Sequence, residues 1–84
     1  MKNKVNFNII VPFLEQEYNV FIPVNKKTIE IIFLLNKAIN EMTSESFPIS
    51  NTLSLIDGFN GSIYDTEKTI KENRILNGSK LILM

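Results

Sequence analysis

Residues 18–42 read Tyr18-Asn19-Val20-Phe21-Ile22-Pro23-Val24-Asn25-Lys26-Lys27-Thr28-Ile29-Glu30-Ile31-Ile32-Phe33-Leu34-Leu35-Asn36-Lys37-Ala38-Ile39-Asn40-Glu41-Met42, and two hydrophobic periods meet inside that stretch. Tyr18, Val20 and Ile22 alternate with Asn19, Phe21 and Pro23, the period of two expected of a half-buried strand. From Thr28 the period changes: Ile29, Ile32, Leu35, Ile39 and Met42 recur at three and four, which is helical spacing. Thr28 stands just before the apolar run, where its hydroxyl can accept from orphan amides one turn in, so the sequence predicts it as the N-cap. Thr43-Ser44 and the Phe47-Pro48 step end the helix. The polar stripe is narrow, Glu30, Lys37 and Glu41. Ile31, Phe33, Leu34 and Ala38 widen the apolar arc beyond what one sheet face usually covers. Because large exposed apolar patches mark interfaces, a helix-mediated contact is one expectation.

Upstream, Val5, Phe7, Ile9 and Val11 alternate with Asn6, Asn8, Ile10 and Pro12. Pro12 cannot donate to a ladder, so it belongs near the strand's end or on a free edge. The polar turn Glu15-Gln16-Glu17 joins this run to the next as an N-terminal hairpin. Downstream, Leu53 and Leu55 point one way while Ser54 and Ile56 point the other. Asp57-Gly58 and Asn60-Gly61 are turn dipeptides, because Gly and Asn accept positive φ cheaply. Ile63-Tyr64 reads as a short strand and Thr69 to Asn73 as a single helical turn. After Asn77-Gly78 comes the last strand, Lys80-Leu81-Ile82-Leu83-Met84.

The predicted order is β-β-α-β-β-short helix-β in 84 residues, room for one domain covering residues 1–84. That is the order of the α+β, β-grasp fold, in which a mixed sheet packs on one helix and the last strand lies parallel to the first. The right-handed crossover rule allows the helix on only one side of that sheet. The expected core is Val5, Phe7, Ile9, Val20, Ile22, Ile29, Ile32, Leu35, Ile39, Leu53, Leu55, Ile75, Leu81 and Leu83.

Composition excludes several functions. Nine Lys and Arg balance nine Asp and Glu, so no net charge attracts nucleic acid or an acidic membrane, and no nucleic-acid partner is expected. Without cysteine there are no disulfides, thiolate metal sites or cysteine nucleophiles. Without histidine, imidazole bases and His-rich zinc sites go as well. The carboxylates, lysines and hydroxyls that remain suggest no reaction, so a non-catalytic protein without cofactor is expected. Asn6 and Asn8 interrupt the N-terminal apolar run as a signal peptide would not allow, and no stretch reaches the roughly 18 apolar residues of a membrane span. Cytoplasmic localisation without membrane insertion is the expectation. Asp57, Asp65 and Glu67 bracket the Gly58–Gly61 loop, but their spacing matches no calcium loop and turn chemistry accounts for them. Lys26, Lys27 and Thr28 at a helix start are read as capping and solvated lysines rather than as an anion site.

Thr28-Ile29 opening the helix, the stretch Thr69-Ile70-Lys71-Glu72-Asn73-Arg74-Ile75, and the closing Gly78-Ser79-Lys80-Leu81-Ile82-Leu83 resemble ubiquitin-like proteins. The layout is similar to the small bacterial YukD/EsaB type, through Tyr18-Asn19-Val20-Phe21-Ile22-Pro23, Lys27-Thr28-Ile29 and the Asn73-Arg74 to Leu83 ending. Residues 42–60 depart from that family in being longer and richer in Ser and Asn. The resemblance implies a cytosolic accessory component of a Gram-positive type VII (ESX-like) secretion system. The partner it implies is a cytosolic domain of a secretion-system membrane component.

Ubiquitin-like modifiers and sulfur carriers need a flexible Gly-Gly tail, because only glycine threads the narrow channel of the adenylating enzyme. This sequence stops at Met84 without one, so covalent attachment or sulfur carriage is an alternative that requires a tail beyond Met84. A binding surface follows instead from parity. With Leu81 and Leu83 facing the helix, Ile82 and Met84 face away, and Ile56 does so opposite Leu55. Ile10, on the strand flanking the last, joins them, so Ile10, Ile56, Ile82 and Met84 are expected to form a partner-binding patch. The ubiquitin resemblance implies the same role for Ile56, Ile82 and Met84. The bland reading is single exposed apolar residues at strand ends, which are common. A homodimerising module, burying apolar residues of helix or sheet, is the third alternative.

Overall fold

The computed structural model of the chain describes residues 3–84, so the first two residues of the expected domain lie outside it. β1 (Lys4–Val11) and β2 (Gln16–Pro23) form the hairpin, α1 covers Thr28–Met42, and β3 (Leu55–Asp57) and β4 (Lys80–Leu83) follow. The strand order is β2-β1-β4-β3. β4 lies parallel to β1, with Ile9 opposite Leu81, and antiparallel to β3, with Leu55 opposite Leu83. Phe7, Ile9, Val11, Leu55, Leu81 and Leu83 are buried on one face of that sheet together with one side of α1, which is the β-grasp arrangement.

Pro12 ends β1 as its missing amide requires and opens a 3-10 helix, Pro12–Leu14. Glu15 takes the left-handed conformation at φ 54° and its N–H donates to the Pro12 carbonyl at 3.0 Å, so β2 starts one residue into the predicted polar turn. Ile63-Tyr64, predicted as a strand, is only an isolated bridge between Ile63 and Ile56. The Asp57 N–H donates to Ser62, but the next amide, Gly58, turns to the Lys80 carbonyl at 2.8 Å. Asp65 then bends the chain away, its Oδ1 accepting from the Glu67 amide, so the pairing cannot lengthen.

Two expectations about the helix are corrected. Ile29 is 45% exposed, and Ile31 takes its place in the core beside Ile32, Leu35 and Ile39. At 3.6 residues per turn these four share one arc, and Ile29 lies to its side, lining a groove with Ile49 and Leu53. Met42 is the last helical residue and is also exposed, where the cover of the core runs out. Thr28 is not the N-cap. That residue is Lys27, with no side-chain cap bond. The first-turn amides are satisfied from outside the helix: Thr28 N–H donates to the Lys68 carbonyl at 2.8 Å and Ile29 N–H to the Thr66 carbonyl at 3.0 Å. Thr28 is fully buried, and its Oγ1 accepts from Asn73 Nδ2 at 2.8 Å.

Asn73 gives its second amide hydrogen to the Asp65 carbonyl, also at 2.8 Å, tying the helix start to residues 65–73. That segment is held open for it by a reciprocal box, in which Glu72 N–H donates to Thr69 Oγ1 and Thr69 N–H to Glu72 Oε1. The expected helical turn is therefore a run of turns over residues 70–74, with one i→i+4 bond from Asn73 to Thr69. Ile70 and Ile75 anchor it in the core.

The long stretch after α1 is fastened by helix asparagines. Buried Asn36 donates to the Pro48 carbonyl and accepts from the Ser50 amide, and Asn40 donates to the Phe47 carbonyl. Phe47 is drawn into the core by these bonds, its ring 5.9 Å from that of Phe13. Val5, Val20 and Leu53, expected in the core, pack against it half-buried.

Two stability predictions follow from these contacts. A double-mutant cycle on Thr28→Val and Asn73→Ala should show a coupling of about 0.5–1.5 kcal/mol, the net worth of one hydrogen bond. Urea unfolding measures it, and additivity of the two substitutions would contradict the assigned bond. At Gly58 a Cβ would stand 2.6 Å from the Lys80 carbonyl oxygen. Gly58→Ala should therefore cost about 1–3 kcal/mol by forcing β3 and β4 apart, and an unchanged unfolding midpoint would contradict that close approach.

Candidate interaction surface

Alternation along the strands divides the sheet into a buried and an outer face. On the outer face Ile10 of β1 is the cross-strand partner of Ile82 of β4, and Ile82 is the partner of Ile56 of β3. Three of the four residues expected to form a patch thus stand in one row across three adjacent strands. Each is half-buried, because neighbouring side chains flank it on a pleated surface. Ile63, bridged to Ile56 and 67% exposed, extends the row beyond β3. The sequence places Ile63 in a short strand but does not count it in the patch; the turn at Asn60-Gly61 returns it beside Ile56.

Met84 follows β4 and exchanges both backbone hydrogen bonds with Ser54, at 2.7 and 3.1 Å. Its side chain is 59% exposed and lines a groove of about 530 Å³ with Phe13, Pro48 and Leu83. It therefore stands off the row, two residues beyond Ile82 along the chain.

Beside the row the outer face is mostly polar, with Phe21 of β2, opposite Asn6 and 64% exposed, as an apolar exception. Asn8 is opposite Lys80 in β4 and opposite Asn19 in β2. Asn19 Nδ2 donates to Asn8 Oδ1 at 2.8 Å, and Asn6 Nδ2 donates to Asn19 Oδ1 at 2.7 Å, so an amide ladder closes one side of the apolar row. Glu17, the partner of Ile10 in β2, closes its end. An apolar strip framed by amides and single charges suits a protein surface with an apolar centre and a polar rim.

The other candidate groups are engaged in structure. Asp57 Oδ1 accepts from the Phe59 amide and Asp65 Oδ1 from the Glu67 amide, each forming a turn, while Glu67 faces Lys27 at 3.7 Å. Loop carbonyls occupy the amides of Thr28 and Ile29, which removes the donors an anion would use at the helix start. Behind β3, burial first and then the Asp57 carboxylate push the Tyr64 phenol up to about 12. The fold thereby favours the neutral phenol. Its contribution to stability is complete below pH 10.0 and is lost as pH rises from there toward 12. In a Tyr18→Phe variant, the single remaining tyrosine should ionise near pH 12 by ultraviolet absorbance; a midpoint near 10 would contradict the placement.

A second apolar surface lies along α1. Ile29, Ile32, Phe33, Ile49 and Leu53 line a groove of about 510 Å³, with Phe33 and Leu34 more than half exposed. The widened apolar arc was visible in the sequence, whereas Ile49 reaches it only through the asparagine-fastened loop. Among the described residues no helix is long and apolar enough to cross a membrane.

No family model and no curated protein matches the sequence. Solved structures do match the fold. The EccD5 ubiquitin-like domain from Mycobacterium xenopi aligns with a TM-score of 0.77 at 15% identity, covering 96% of this chain and 92% of that one. The ubiquitin-like domain of the Mycobacterium tuberculosis type VII secretion system protein ECCD1 aligns at 0.62 with 9% identity, covering 96% and 97%. A chain of the MycP5-free ESX-5 inner membrane complex aligns at 0.80 with 16% identity, covering 98% of this chain and 21% of that one. The chain therefore has the ubiquitin-like β-grasp fold, and its structural neighbours include ubiquitin-like domains from type VII secretion.

Proposed function

We propose that this chain is a non-catalytic, ubiquitin-like protein-interaction module that docks through the outer face of its sheet. The observation that carries the reading is the row Ile10–Ile82–Ile56 across three strands of one face. Apolar side chains gathered in this way on an outer face are better explained by a partner than by scatter. The setting we propose is a type VII (ESX-like) secretion system of a Gram-positive bacterium, with the chain as a cytoplasmic accessory or regulatory component of the YukD/EsaB kind. Support comes from the sequence resemblance together with the fold shared with EccD5 and ECCD1. The corresponding partner is a cytosolic domain of a membrane component of that system.

The test uses purified cytosolic domains of such membrane components and measures their binding to wild type, Ile56→Asp and Ile82→Asp. Circular dichroism first establishes that both variants are folded. A charge in the centre of a desolvated contact should weaken binding at least about a hundredfold. Binding unchanged in both folded variants would contradict the sheet as the docking face, and no binding by wild type would contradict the assigned partner.

A further inference from the structure

The outward side of α1 carries a charge pattern that is its own complement. Lys26, Glu30, Lys37 and Glu41 are all exposed, and among the described residues the ion pair present is Lys27–Glu67, which involves none of them. Lys37 and Glu41 are four apart, a spacing that often pairs on a helix, yet they do not pair here. At about 100° per residue, Glu30, Lys37 and Glu41 fall on one line opposite the buried stripe of Ile32, Leu35 and Ile39. Phe33 and Leu34 flank that line between Glu30 and Lys37, 59% and 51% exposed. Along the chain the order is positive, negative, apolar pair, positive, negative. Glu30 and Lys37 lie equally far from the midpoint between Phe33 and Leu34, about 5 Å along the axis, and Lys26 and Glu41 are likewise matched in sequence distance.

We propose that α1 is the contact surface of a homodimer, in which a second copy lays its own α1 antiparallel across a two-fold axis at that midpoint. Reversal about the axis brings Glu30 against Lys37 of the second copy and Lys26 against its Glu41, each pair occurring twice. Phe33 and Leu34 meet their counterparts beside the axis and exclude water from the charges around them. A parallel arrangement would oppose Glu30 to Glu30 and Lys37 to Lys37, so the charges select the direction. The contact is isologous, the usual form of a closed dimer. α1 is about 22 Å long, so the interface is small and its affinity should be micromolar and salt-sensitive. This inference does not rest on the adaptor reading, since α1 and the outer face of the sheet lie on opposite sides. A dimer formed through α1 would present two copies of the apolar row outward.

Sedimentation velocity from about 1 µM to about 1 mM covers the range of weak association and tests the proposal. Wild type should show a reversible monomer–dimer equilibrium. Glu30→Lys or Lys37→Glu alone should raise the dimer Kd about tenfold or more, because each reversal converts two attractions into two repulsions. The double exchange Glu30→Lys/Lys37→Glu should restore it to within about threefold of wild type. Ile82→Asp should leave the dimer unchanged, which keeps this result separate from the docking reading. Both charged positions are exposed, so the fold should survive and circular dichroism checks it. A monomer across the whole range overturns the proposal. A dimer indifferent to the single reversals, or one the double exchange fails to rescue, overturns it equally.

Discussion

The parallel pairing of β4 with β1 is the constraint on which the rest depends. Once Ile9 stands opposite Leu81, alternation sends Leu81 and Leu83 toward α1 and Ile82 outward, beside Ile10. β3 can then pair only with the free edge of β4, which sets Leu55 inward and Ile56 outward. A slip of one residue would exchange the core and the outer face together, so the buried leucines enforce the half-buried row. The outer apolar surface is thus a consequence of the same register that builds the core.

The hairpin is a second fixed point. Pro12 ends β1, and on the outer face the amide ladder of Asn6, Asn19 and Asn8 ties β2 to β1. Those polar side chains satisfy one another, while Phe21, opposite Asn6 and 64% exposed, leaves one apolar ring on that half of the sheet. The helix is held differently, from its start, by carbonyls of residues 66–68 and by Asn73 on Thr28. Segments far apart in sequence therefore meet at the one place where helix, turn and strand must agree.

How much of this was legible in the sequence depended on whether the signal was local. Periods of two and of three to four located β1, β2 and α1, and Pro12 and the Asx-Gly dipeptides located the turns. The parity argument placed Ile10, Ile56 and Ile82 on one face because alternation needs only the strand assignments. The errors came where a distant segment intervenes. Thr28 has the composition of an N-cap, but a loop some forty residues away supplies the caps and its hydroxyl is taken by Asn73. Ile29 fits the helical stripe, but the buried arc is centred near Leu35 and Ile39 and extends on its other side to Ile31, which is fully buried. The strand predicted at Ile63-Tyr64 failed because Gly58 turns to β4 and Asp65 breaks the return. The partners of Thr28 and the Lys80 carbonyl that takes the Gly58 amide lie far outside a window of neighbouring residues.

Two faces with different chemistry emerge, an apolar row on the sheet and a charge-complementary helix. The central claim is that the sheet receives the partner. Isoleucine and methionine methyl NMR spectra, recorded while the cytosolic domain proposed as the partner is titrated in, test it most directly. The account predicts that the methyls of Ile10, Ile56, Ile82 and Met84 shift or broaden first, while those of Ile29 and Ile49 beside α1 do not move. Perturbation confined to Ile29 and Ile49, with the sheet methyls unmoved, would contradict it.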